Sequence, residues 1–411
     1  MSARRDPDVL VVGGGPAGLA AARAAAGAGA SVLLVERDVR LGGILNQCVH
    51  DGFGLEMFGD SLTGPEYSGR LVGELDGTGV EVLLDSFVLR VEDGPACHVL
   101  SPRGHETLRL GAVVAAMGCR ERSFGSLAIP GPRPAGIWSA GTAQRLVNLE
   151  GLTIGRRAVI LGSGDVGLIM ARRLTFEGAT VECVLERYPW PGGLPRNVSQ
   201  CLNDFGIPLL LSHTVVEVLG DKRVTGVVMA GVGDDGREVP GSRRVVECDT
   251  LLVSVGLIPE NELTRGAGAA IDRATGGPVV DQRLMTSVPG VFICGNALHV
   301  HDLADWASLE GRRAGERAAA YAAAPWERAE PIAVRVAGDV RYVVPQTLVA
   351  GEAATLAFRV AEPLRRAVVT VSRDGEDIVA VQFPYLSPSE LASVDVPALS
   401  AGGGDLEVRV G

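Results

Sequence analysis

The stretch Val9–Glu36, VLVVGGGPAGLAAARAAAGAGASVLLVE, decides how the chain folds. Val9–Val12 is a run of apolar β-formers, and Gly13-Gly14-Gly15-Pro16-Ala17-Gly18 follows at once with G-x-G-x-x-G spacing. In that spacing the first glycine makes a tight turn, the second admits a pyrophosphate to the backbone, and the third lets a helix lie close on the strand. The spacing predicts a helix over Ala20–Ala28 and a second strand over Ser31–Val35. Glu36 ends that strand, where a carboxylate accepts hydrogen bonds from the ribose hydroxyls of a dinucleotide. The amides that open the helix turn their partial positive charge toward the phosphates.

The pattern then returns. Ala158–Leu161 reads as a strand, Gly162-Ser163-Gly164-Asp165-Val166-Gly167 as a second G-x-G-x-x-G, Leu168–Glu177 as its helix and Thr180–Leu185 as the next strand, with Glu186 as its acid. Two such units imply two nucleotides, one on Gly13, Gly15, Gly18 and Glu36 and the other on Gly162, Gly164, Gly167 and Glu186. A carboxylate at Glu186 repels a 2′-phosphate, so NADH is preferred to NADPH, a preference that Arg187 beside it weakens.

Composition narrows the alternatives. A chain of 411 residues is too long for one typical core and suggests two or three domains. The net charge of -11 argues against nucleic acid and against anionic membrane surfaces, both of which call for a basic face. No apolar run reaches the length of a membrane span, and the first strand begins at Val9, too early for a cleaved signal peptide, so the expected location is the cytoplasm. Seven scattered cysteines without a C-x-x-C pair suit reduced thiols better than a disulfide framework or an iron-sulfur cluster.

Around the two units the rest of the chain falls into order. Glu81–Val91 reads as a strand pair with Asp85-Ser86 between, Cys97–Leu110 as a hairpin about Arg103-Gly104, and Ala112–Ala116 as a strand that stops on Met117-Gly118. Pro130, Pro132 and Pro134 with Gly131 and Gly136 make a stiff crossing segment near a domain boundary. Past the second unit, Val288–Cys294 leads into Gly295-Asn296 and a helix over Leu303–Ala324. From Ile332 onward short candidate strands alternate with turns, an all-β module of about 80 residues. The expected fold is therefore α/β. Two Rossmann-like domains, 1–120 with 261–325 and an inserted 121–260, precede a small β-sandwich-like module at 331–411.

The ordered set of Gly13–Gly18, Ala115–Gly118, Gly162–Gly167 and Gly295-Asn296 resembles the two-dinucleotide-binding flavoproteins, the pyridine nucleotide-disulfide oxidoreductase superfamily, over residues 8–325. Gly118–Arg122, Ala140–Gln144 and Cys294–Leu303 resemble one branch of it, found beside glycerol-3-phosphate dehydrogenase-like flavoproteins and related to the flavin subunits of opine oxidases, dye-linked proline dehydrogenases and hydrogen cyanide synthase. The resemblance implies FAD on the first unit and a nicotinamide nucleotide on the second, with hydride passing between nicotinamide C4 and flavin N5. It adds Arg37, Gly43, Val88, Gly118, Gly295 and Asn296 to the cofactor-binding residues, and it implies a partner flavoprotein dehydrogenase. Two departures stand out: asparagine follows Gly295 where the superfamily usually has aspartate, and the cysteine pair of the disulfide reductases is missing.

In the superfamily the loop after Gly42-Gly43 runs along the isoalloxazine, so Cys48 has two readings, a redox thiol or a packed small residue lining the flavin pocket. His299 and His301 follow Gly295-Asn296 and are candidates for proton relay or substrate binding, or else hydrogen-bond the backbone or cofactor. With Cys48 and His50 they have the composition of a metal set, but no metal is assigned. Arg120-Glu121-Arg122 is either a phosphate contact or a solvated charge pair. The β module is expected to bind a partner or a second copy. Two further activities remain open, a flavin subunit without NADH turnover and a thiol or disulfide reductase working through Cys48.

Overall fold

Strands that are apolar along their whole length must be covered on both faces, and the chain meets this with parallel sheets flanked by helices. A computed structural model describes residues 6–92, 96–327 and 329–411. It forms two compact units, residues 1–119 with 259–411, and residues 120–258.

In the first unit five strands lie in the order Val291–Ile293, Ala112–Ala115, Val9–Val12, Val32–Val35, Glu81–Leu83, every neighbouring pair parallel. The first four are wholly buried. The helix after the first glycine turn runs over Pro16–Gly27, earlier than the expected Ala20, because Pro16 at its first turn needs no amide partner there. A long helix, Ala304–Ala323, lies against it along a row of small residues. The expected pairing within Glu81–Val91 is not made: Glu81–Leu83 joins the parallel sheet, and Phe87–Val91 joins an antiparallel sheet with Ala96–Ser101 and Gly104–Arg109. Asp85 between them adopts φ 49°, which turns the chain from one sheet to the other.

The same unit carries the C-terminal strands. One sheet runs Thr347–Leu348, Ile332–Gly338, Leu406–Val410, Leu364–Arg373, Glu376–Leu386, and a second runs Val340–Val344, Ala354–Val360, Ala392–Val396. Alternating residues of both sheets, among them Val334, Leu356, Phe358, Val369, Val371 and Val408, form one buried cluster. Thr347–Leu348 and Ala392–Val396 are strands that the sequence pattern did not single out.

The second unit repeats the parallel arrangement in the order Leu209–Leu210, Thr180–Leu185, Arg157–Leu161, Thr250–Val253, Ile137–Ser139. Its helix begins at Asp165, directly after the glycine turn, rather than at Leu168. The stiff segment Pro130–Gly136 lies inside this unit and not at its edge, since Gly131 backs onto Val218 and Ala135 bonds Lys222. Among the described residues no helix is long and apolar enough to cross a membrane.

Candidate active site

Each glycine turn is shaped by what surrounds it. Gly13 takes φ +103°, and a Cβ there would stand 2.5 Å from the Ala116 carbonyl; a Cβ on Gly18 would stand 1.8 Å from the Gly13 carbonyl. Side chains are therefore excluded at both positions. A Cβ on Gly15 would meet nothing within 4 Å, so the backbone borders open space where a pyrophosphate can approach. Gly43 closes one wall of that cradle, its Cβ position 2.9 Å from Gly15 Cα.

Glu36 is buried and holds the turn directly: the Gly14 amide donates to one carboxylate oxygen at 2.6 Å and the Asp38 amide to the other at 2.7 Å. A carboxylate offers about four lone-pair sites, so both oxygens keep capacity for ribose hydroxyls. The second unit repeats this. Glu186 is equally buried and accepts from the Ser163 amide at 3.0 Å, the Ser163 hydroxyl at 2.5 Å and the Tyr188 amide at 3.1 Å. In both units the acid binds the second residue of the turn and the amide two residues past itself. Ser163, whose hydroxyl also accepts from the Gly192 amide at 2.7 Å, was not recognised from sequence as part of the site. Arg187 points to the Gly236 carbonyl.

The remaining predicted residues divide. Gly118 has φ +74° with open space where a Cβ would sit. Arg37 is solvent-exposed and pairs with Glu260 at 3.2 Å. Val88 packs at the edge of the cluster around Leu10, Val12 and Val35. Asn296 uses its side chain inside the protein, donating to Cys119 Sγ at 3.6 Å and accepting from the His301 amide at 2.9 Å.

Cys48 lies on the loop behind Gly43, and its Sγ donates to the Ile44 carbonyl at 3.3 Å. Burial pushes its thiol up to about 12, so it is protonated at neutral pH, which favours the packed reading over the redox one. His50 bonds the Asp51 carbonyl. Neither joins the histidine pair. His299 and His301 converge instead on Glu310, nearly two turns inside the long helix, with Nε2 to carboxylate distances of 3.3 and 3.6 Å. Burial, then the neighbouring His301, push His299 down. Burial pushes the Glu310 carboxyl up, but the two histidines outweigh it and leave the group well below the usual carboxylate range. Glu310 also takes the Gly295 amide at 2.6 Å, which ties the pair to the glycine turn.

Residues far along the chain hold this segment in place. Arg359, on a C-terminal strand, donates to the Val300 carbonyl at 3.1 Å and to the Asp302 carboxylate, and its Nε reaches the Tyr342 hydroxyl at 2.9 Å. The Leu391 amide donates to the other Asp302 oxygen at 2.6 Å. Asp305, fully buried, caps the Leu55–Phe58 turn through the amides of Gly54 and Met57. None of Glu310, Arg359 and Asp305 carries a local signal, because each acquires its partner only through tertiary packing.

Residues 7–311 match the pyridine nucleotide-disulphide oxidoreductase family. The chain belongs to that family. It is an FAD- and NAD(P)H-dependent oxidoreductase. Its relatives include the putative small chain of NADPH-dependent glutamate synthase from Cereibacter sphaeroides, 30% identical over 350 residues that span 78% of each chain. An opine oxidase subunit from Agrobacterium tumefaciens is 27% identical over 77% of this chain and 65% of its own. Among solved structures, thioredoxin reductase from T. acidophilum superposes with a TM-score of 0.64 at 24% identity, over 77% of this chain and 99% of that one, a likeness of fold.

Proposed function

We propose that this chain passes hydride between NADH and FAD and exchanges the electrons with a partner flavoprotein dehydrogenase of the glycerol-3-phosphate or amino-acid dehydrogenase type, in the cytoplasm. The observation that carries the reading is the repeated cradle, a glycine turn bonded to a buried glutamate in each unit. A bound FAD would supply the hydride-accepting and electron-releasing chemistry. The chain's own part is to hold and align. Gly13, Gly15, Gly18, Gly43 and Glu36 hold the flavin nucleotide, with Arg37, Val88 and Gly118 along its length and Gly295 and Asn296 at the ribityl end. Gly162, Gly164, Gly167 and Glu186 hold the nicotinamide nucleotide. Cys48, His299 and His301 line the isoalloxazine end. Glu186 supports NADH over NADPH, since its buried carboxylate would repel a 2′-phosphate.

The architecture belongs to the same reading: a nicotinamide domain inserted in a flavin domain, followed by a β module that meets the partner or a second copy. The name of the opine oxidase relative, one component of an oxidase, supports a partner.

Anaerobic mixing of the FAD-loaded protein with NADH tests the proposal. Bleaching of the flavin band is expected, with kcat/KM for NADH at least about tenfold above that for NADPH, a difference of roughly 1.4 kcal/mol. Intact flavin that neither nucleotide bleaches would overturn the proposal and leave a flavin subunit without turnover.

A further inference from the structure

His299, His301 and Glu310 form a buried group of three donors, all within 4.8 Å of one another. The backbone brings them together. The 3₁₀ turn Gly295–Ala297 is followed by a reversal in which Asn296 Oδ1 accepts the His301 amide, and Arg359 pins the residues on either side of His301. Glu310 comes from the long helix and is fixed by the Gly295 amide. The side chains of the two histidines are 2% and 4% exposed, and that of Glu310 is 11% exposed, so bulk water does not solvate the charge.

Two observations set this group apart from a structural ion pair. The first is distance. A charge-assisted N–H···O bond settles at about 2.7–2.9 Å. The Glu310 carboxylate reaches the Gly295 amide at 2.6 Å, yet stands 3.3 and 3.6 Å from the two Nε2 atoms. The two contacts use different oxygens, His299 Nε2 facing Oε1 and His301 Nε2 facing Oε2, and the three donors span up to 4.8 Å, so an ion with bonds of about 2.0–2.1 Å would draw them inward on binding. The second is satisfaction of charge and hydrogen bonds. The largely buried Asp302 and the half-buried Glu352 each face an arginine. Glu310 has no arginine or lysine partner among the described residues, and both histidine Nδ1 atoms are buried without a partner. A buried carboxylate with no arginine or lysine opposite it is left to the two histidines, or to an ion between them, to neutralise. An ion bound at the two Nε2 atoms would neutralise that carboxylate.

We propose that His299 Nε2, His301 Nε2 and a Glu310 oxygen bind one divalent transition-metal ion of the zinc class, with a fourth position for water or another small donor. Two imidazoles and one carboxylate suit zinc, cobalt or iron(II) and not magnesium or calcium, which require oxygen donors. The site is independent of the hydride reading, because no change in metal oxidation state is involved. It does compete with a proton-relay role, since ligation occupies the Nε2 lone pairs.

The full-length protein, treated with a chelator and titrated with Co(II), tests the site. The expected result is one equivalent bound, with visible d–d absorption that Zn(II) displaces. His301→Ala and Glu310→Gln, checked for folding by circular dichroism, should each bind Co(II) at least about 100-fold more weakly, more than the loss of a group behind a ligand. Absence of a bound equivalent in the wild type, or equal binding by wild type and both variants, overturns the proposal. Should a variant fold poorly, X-ray absorption of the Zn(II)-loaded wild type reads the donors directly. A nitrogen and oxygen shell with imidazole scattering supports the site, and a sulfur shell overturns it.

Discussion

Cys48 shows what a single position tells before and after folding. Its place behind the Gly42-Gly43 pair was legible, but its chemistry was not, because thiol reactivity depends on burial and neighbours that a sequence does not display. Burial pushes Cys48 and Cys97 up to about 12, and Cys183 and Cys248 up to about 11. In the unfolded chain these thiols titrate near 8.5, so folding favours their protonated form. The stability this gives is fully present below about pH 8.5 and is lost as pH rises toward the folded values. By pH 10.5 each thiol at about 12 has given up on the order of 2–3 kcal/mol. Thermal unfolding should therefore shift down between pH 8 and pH 10.5, and replacing Cys97 with Ala should blunt the shift. A melting temperature flat across that range would show that the thiols ionise in the folded state. Glu310 is the opposite case: as a glutamate in a polar stretch of helix it reads as a surface residue, and only the turn of the chain at Gly295 gives it partners.

At the level of elements, the strand, turn and helix of both fingerprints were legible because glycine spacing and an apolar run act within a few residues of each other. Helix starts were misplaced by three or four residues, since Pro16 and Asp165 sit comfortably in a first turn. The crossing of the long helix on the first one was not foreseen. It depends on Gly311 and Gly315, where a Cβ would lie 2.1 Å from the carbonyls of Ala17 and Ala21. The two helices therefore touch backbone to backbone, directly behind the phosphate cradle. Gly315→Val should destabilise the first unit by about 3 kcal/mol or more and lower FAD retention, because the neighbouring helix must move away. The melting temperature and flavin content of the purified variant check this, and wild-type values for both would mean that the crossing tolerates bulk.

For the molecule as a whole, the sequence reads the residues after Ile332 as an appendage, since strands and turns recur there without a motif. The contacts are those of an integral part. Tyr342 and Val344 enter the buried cluster of the first parallel sheet, Gln282 exchanges two hydrogen bonds with Val349, and Arg283 pairs with Glu352. Such docking is invisible in sequence because the partners of these two pairs stand 67 and 69 residues apart. The more deeply buried ion pair is Arg359 with Asp302. Arg359→Met strands a buried carboxylate and should cost about 3–5 kcal/mol. The pair Arg359→Met with Asp302→Asn should recover part of that loss. Chemical denaturation of the single and double variants measures both, and an additive double variant would mean that the two side chains do not act together.

That tie constrains anyone who builds hybrids of this protein. A foreign C-terminal segment spliced on at residue 331 would arrive without the guanidinium, leaving Asp302 to face its neighbours as a bare anion. The hybrid would then misfold at the loop bearing His301 and not at the seam. A viable replacement segment must bring its own arginine and tyrosine to meet the aspartate already in place.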